Sequence, residues 1–155
     1  MKMSTDIRVK TDPRYEELYK GLKLIGDDFH SIFFLCTCLG FYAQKKTLPT
    51  ARRDERFWSR TITPDEWTVY YSIALLDKGE DFAALGDDAQ VIAIAELYAD
   101  AGMEILIHEV LQPYLTGEAL PTLDRRGSEA LAYELLKFVW DKERSVGKHV
   151  PASPP

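Results

Sequence analysis

The sequence predicts an all-α fold, a compact orthogonal bundle of about five helices with room for a short N-terminal strand or hairpin. Two observations carry that expectation. Apolar residues recur at helical spacing in five stretches, and helix-start spellings stand before most of them. A chain of 155 residues that is 46% apolar suits one domain able to bury roughly two thirds of its unfolded surface. We therefore expect a single helical domain over residues 1–145 and a disordered tail over 146–155, where VGKHVPASPP shows no core-forming pattern.

Residues 1–11 alternate weakly at Ile7 and Val9, the spelling of a frayed arm or an edge strand. Asp12-Pro13 then starts a helix: Asp can accept the free amides of the first turn, and Pro lacks a donor where none is needed. That helix carries Tyr15, Leu18, Leu22 and Ile25 on one face and stops at Gly26-Asp27-Asp28. The next, from about Phe29 to Gln44, is apolar nearly all round, which places it in the centre of the fold. Residues 45–62 show no sustained periodicity, and so long a connection is functional, hides a hairpin or is ordered by a partner.

Thr63-Pro64-Asp65-Glu66 spells a capping box, and Trp67, Tyr70, Tyr71, Ala74 and Leu75 follow at helical spacing up to Gly79. The longest periodic segment, Ala89 to Gln112, sets a broad apolar face opposite a stripe of Glu96, Asp100, Glu104 and His108. Gly102 interrupts its interior at a cost of about 1 kcal/mol relative to Ala. We expect it to mark a tight crossing with the central helix around Cys36 to Gly40. A last amphipathic helix runs from Ser128 to about Arg144.

Composition excludes several classes. Cys36 and Cys38 sit two apart in an apolar run and point to nearly opposite sides of a helix, so they form no disulfide framework and suit a reducing, cytoplasmic setting. The N-terminus has no apolar core of the secretory kind, and the run from Phe29 to Ala43 is short for a bilayer, so no membrane association is expected. Gly21 and Gly26 have the spacing of a phosphate-loop glycine pair, but Asp27 and Asp28 follow where Lys and Ser/Thr are needed. No nucleophile elbow and no paired Cys or His ligand spacing occurs.

Asp100, Glu104 and His108 are the best metal candidates, one turn apart on one face, although such a stripe is ordinarily a helix's solvated side. Asp27-Asp28 and Asp87-Asp88 stand before helices and read as caps. Cys36 reads as an inert core thiol. The sequence thus assigns no catalytic residue, no cofactor and no metal.

One asymmetry survives. Lys45, Lys46, Arg52, Arg53, Arg56 and Arg60 stand against Asp54 and Glu55, a local net of +4, so the rest of the chain carries −10 within an overall −6. With Phe57 and Trp58, these cations form the candidate binding segment. Three readings stay open: they neutralise the protein's own acidic surface while the aromatics plug the core, they dock a protein, or they contact nucleic acid.

The chain also resembles a family encoded beside bacterial DNA phosphorothioation clusters, the dnd system-associated protein 4 family, over about residues 7–115. An IRVK-type start and an EELYKGLK helix come first. The segment F-x-L-C-T-C-L-G-F-Y-A-Q-K-K-T-L-P follows, carrying Leu39, Gly40, Phe41, Lys45, Lys46 and Pro49, and Ala95 to Leu106 matches the family's second landmark helix. Asp100-Ala101 replaces the family's Asn-Gly, Leu97 replaces an acid, and the C-terminal helix and tail extend past the usual length. The resemblance implies a non-catalytic accessory component of a prokaryotic DNA-modification-based antiphage defence system. Such a component would bind a protein of a defence complex, with self-association open. The alternative is a nucleic-acid-binding subunit of the same system that uses the basic segment 45–60 on DNA.

Overall fold

The computed structural model describes residues 6–26, 28–48, 53–117 and 120–149. In chain order the elements are β1 (Arg8–Thr11), α1 (Glu16–Leu24), α2 (Phe29–Tyr42), β2 (Asp54–Trp58), α3 (Pro64–Asp77), α4 (Asp88–Leu106), β3 (Leu115–Thr116), β4 (Thr122–Leu123) and α5 (Ser128–His149). The fold is mostly helical, as expected, but not purely all-α: β1 pairs with β2 and β3 with β4, each antiparallel. The weak alternation at Ile7 and Val9 is therefore a strand, and the aperiodic segment after α2 contains its partner.

The helix starts follow the local chemistry. Asp12 accepts from the Arg14 amide and leads through a 3-10 turn, Pro13–Tyr15, into α1. The capping box is complete: Thr63 Oγ1 accepts from the Glu66 amide and Glu66 Oε1 from the Thr63 amide. Asp87 caps α4 through the Ala89 amide. Asp28 occupies the N-cap position of α2 without a side-chain cap bond, and Asp27 lies outside the described residues. The helix α5 continues to His149, past the expected stop near Arg144; the rest of the tail, 150–155, lies outside the described residues. Among the described residues no single helix is long and apolar enough to cross a membrane.

The core forms where α2 meets α4. Ile32, Phe33, Cys36 and Leu39 of α2 face Val91, Ala95, Ala99, Met103 and Leu106 of α4, all buried. The two backbones touch. A Cβ on Gly102 would lie 1.7 Å from the Cys36 carbonyl oxygen, and a Cβ on Gly40 would lie 2.0 Å from that of Tyr98. Each glycine thus faces the carbonyl one turn before the other, so the helices run in opposite directions at the crossing. The expected contact of Gly102 with the Cys36–Gly40 stretch is present, and it is reciprocal.

Around this crossing, Phe33 meets Phe57 of β2 and Tyr70 of α3 edge to face, at 5.4 and 5.9 Å between centroids. Such pairs add to area burial. The helix α4 ends in a π turn, Ile107–Leu111, whose buried Val110 and Leu111 seat α5 through Leu131 and Leu135.

Any side chain at residue 102 must force the two backbones apart. Gly102→Leu is expected to lose about 3 kcal/mol or more of unfolding free energy. Gly86→Ala, where nothing lies within 4 Å of the added carbon, should change it by less than about 0.5 kcal/mol. Denaturant unfolding of both variants checks this, and wild-type behaviour of Gly102→Leu would contradict the crossing.

Candidate functional site

The acidic stripe of α4 is not a solvated face. The chain from β1 into α1 lies along it, and each carboxylate takes a donor from that segment. Glu96 Oε2 accepts from the Lys10 amide at 2.7 Å, and Asp100 Oδ1 accepts from the Asp12 amide at 3.3 Å. Glu104 Oε1 accepts from Arg14 Nη1 at 2.7 Å and from the Tyr15 hydroxyl at 2.6 Å. The spacing explains the fit: four residues of helix rise about 6 Å and two residues of extended chain about 6.6 Å. Glu96 and Asp100 therefore meet the amides of Lys10 and Asp12, two residues apart in extended chain, whereas Glu104 is met by the side chains of Arg14 and Tyr15 from the 3-10 turn that follows. Within β1 itself, Glu96 takes up the Lys10 amide, a strand donor that would otherwise be open to pairing.

Asp100 is the correction that matters most: expected at the surface, it is 2% exposed. Its partner comes from the basic segment, for Arg53 Nη1 lies 2.7 Å from Asp100 Oδ2 while Arg53 Nη2 donates to the Lys10 carbonyl at 3.2 Å. Burial pushes the Asp100 carboxyl above its usual range, against the downward pull of Arg53 and the Asp12 amide. Only His108 of the stripe is well exposed; it stands 3.8 Å from Glu104 Oε2. Among the described residues no group of three side chains is placed to hold a metal.

Arg53, Arg56 and Phe57 of the basic segment are drawn into the fold. A bulge opposite Val9 and Lys10 of β1 leaves Arg56 as the extra residue of β2, so that Arg56 and Phe57 are buried in succession. A bulge re-aims a side chain in this way. Arg56 Nε donates to Thr11 Oγ1 at 2.7 Å and Nη2 to the Asp12 carbonyl at 3.0 Å, with the guanidinium over the Tyr19 ring. Phe57 is core. Lys46 Nζ donates to Asp77 Oδ1 at 2.9 Å, an oxygen that also accepts from the Tyr98 hydroxyl at 2.6 Å. Burial raises the Asp77 carboxyl, but those two donors outweigh it and hold the group below its usual range.

Lys45, Lys46, Trp58 and Arg60 stay exposed. The Lys45 amide closes α2 on the Gly40 carbonyl. Trp58 is 36% exposed and flanked by guanidinium groups, Arg8 at 4.3 Å and Arg60 at 5.7 Å from its ring centroid. Each of these arginines meets an acid, Arg8 with Glu55 at 3.0 Å and Arg60 with Asp6 at 3.3 Å. Arg8 was missed in the sequence because nothing there sets it opposite Trp58; only the register of β1 on β2 does. Arg52 lies outside the described residues. Cys36 is fully buried, and burial holds its thiol well above its usual value, as an inert core thiol requires.

Comparisons with protein-family models, with curated proteins and with solved structures find no match for the chain.

Glu96 supplies a pH test. Burial pushes its carboxyl up to about 7, despite the Lys10 amide and Arg53, which lower it. The folded state therefore keeps a proton that the unfolded state releases, so this group's contribution to stability falls as pH rises from about 4.5 through about 7. Glu96→Gln keeps an oxygen for the Lys10 amide and cannot ionise. Relative to wild type it should gain on the order of 2 kcal/mol at pH 8, after discounting for solvent screening, and little at pH 4. Urea titrations across that range check this, and parallel stability curves would refute it.

Proposed function

We propose that this protein is a non-catalytic accessory component of a prokaryotic DNA-modification-based defence system, and that it acts by binding another protein of that system through the surface centred on Trp58. The observation that carries this reading is the exposed indole held between Arg8 and Arg60 at the rim of the β1–β2 ladder. Tryptophan and arginine are the residues that most often dominate binding energy at protein interfaces. The genomic setting comes from the resemblance over residues 7–115.

The alternative, direct binding to DNA by the segment 45–60, is less well supported. Phosphate binding draws on cations that can exchange their counterions for the backbone. Here Arg53 serves Asp100, Arg56 serves Thr11 and the Asp12 carbonyl, Lys46 serves Asp77, and the two arginines beside Trp58 are matched by Glu55 and Asp6. A local surface with charges so compensated suits a protein partner better than a polyanion.

The test is purification of the tagged full chain from its native host, with the neighbouring genes present and with and without nuclease. One stoichiometric protein encoded in the defence cluster should survive nuclease. Trp58→Ala should weaken its binding about 30-fold, the effect of losing a hot-spot residue, while the variant still unfolds cooperatively. Recovery of DNA alone, or of proteins that nuclease removes, would overturn the reading in favour of the nucleic-acid alternative.

A further inference from the structure

We propose that α5 is a self-association element: its outer face binds the same face of a second copy of this chain, with the two helices antiparallel. This goes beyond the Trp58 surface and does not depend on it. The helix touches its own domain along one narrow line, through Leu131, Leu135 and half-buried Phe138, with Lys142 Nζ 3.4 Å from Glu109. A surface helix normally needs only one apolar stripe. This helix has a second, on which Tyr133, Leu136 and Trp140 are 67%, 71% and 58% exposed. Spaced three and four residues apart, they share one face, and exposed apolar patches of this kind mark interaction sites.

Charge selects the occupant and its direction. Glu129 stands one turn before Tyr133 and Arg144 one turn after Trp140; both are exposed, and neither is in an ion pair among the described residues. Antiparallel pairing of two α5 helices puts Tyr133 of each copy opposite Trp140 of the other, and Glu129 opposite Arg144 at both ends. A parallel pair would set Glu129 against Glu129 and Arg144 against Arg144. The stripe is thus complementary to itself about a twofold axis, as an isologous dimer requires. The Lys137 stem, beside Leu136, can cover the centre while its ammonium stays in water. Four turns of helix bury less than a standard interface, so the dimer is reversible, with a dissociation constant on the order of micromolar.

Sedimentation equilibrium of the full chain over about 1 µM to 1 mM tests this. The mass should move toward twice 17.7 kDa as concentration rises. Leu136→Glu, a change at an exposed position, should raise the dissociation constant by about 30-fold or more while leaving the thermal transition in place. Glu129→Arg and Arg144→Glu should each weaken the dimer, and the double exchange should restore it. A monomer at every concentration, which would leave the stripe to a different protein, overturns the proposal. So does a dimer that Leu136→Glu leaves intact, or a double exchange no better than its parents.

Discussion

The crossing of α2 and α4, where two glycines let backbone lie on backbone, is the constraint on which the rest depends. Gly40 and Gly102 each face a carbonyl of the opposite helix with no room for even one carbon between. Packing this close sinks α4 so far into the domain that eleven of its residues are buried, Asp100 among them. Once α4 is that deep, Asp100 cannot face water and must find donors within the fold, and half-buried Glu96 and Glu104 beside it are drawn into the same contacts. The extended chain of β1 supplies amides, and the basic segment supplies Arg53. The need for glycine at residues 40 and 102 and the polar network beside them are therefore two consequences of one close approach.

The same logic explains what was legible in the sequence. Helices announced themselves through local chemistry: Asp12-Pro13, the Thr63–Glu66 box and Asp87 each act within a few residues, and Gly102 stood out as a costly residue in a helix interior. The strands showed only as one reading among several, an edge strand at Ile7 and Val9 and a hairpin within 45–62, because β1 and β2 are more than forty residues apart and pair across a bulge that spoils alternation in β2. The stripe of Glu96, Asp100 and Glu104 was misread for a related reason. Periodicity of four says which residues share a helix face, but not what covers that face. A usable signal did exist: the local excess of cations in 45–60 and the row of acids on α4 meet at one point, Arg53 with Asp100.

For the candidate segment, the eight residues singled out by charge and aromaticity divide by role. Arg53, Arg56 and Phe57 build the domain, and Lys46 ties the segment to α3 through Asp77. Lys45, Lys46, Trp58 and Arg60 stay accessible, and Arg52 lies outside the described residues. A charge census could not make that division, because an arginine that neutralises a buried acid and one that awaits a partner look alike in sequence. The surface that remains is aromatic with compensated charge, and the apolar stripe of α5 lies on a separate element. Both are surfaces of a kind suited to assembly with protein.

The most direct measurement is a double-mutant cycle on Gly40→Ala and Gly102→Ala by denaturant unfolding. If the two glycines serve one backbone contact, each single change forces the same separation of α2 and α4, and the double variant loses clearly less stability than the two single losses combined. Strict additivity, or a single change without cost, would mean that the helices do not meet there, and the burial of Asp100 would need another cause.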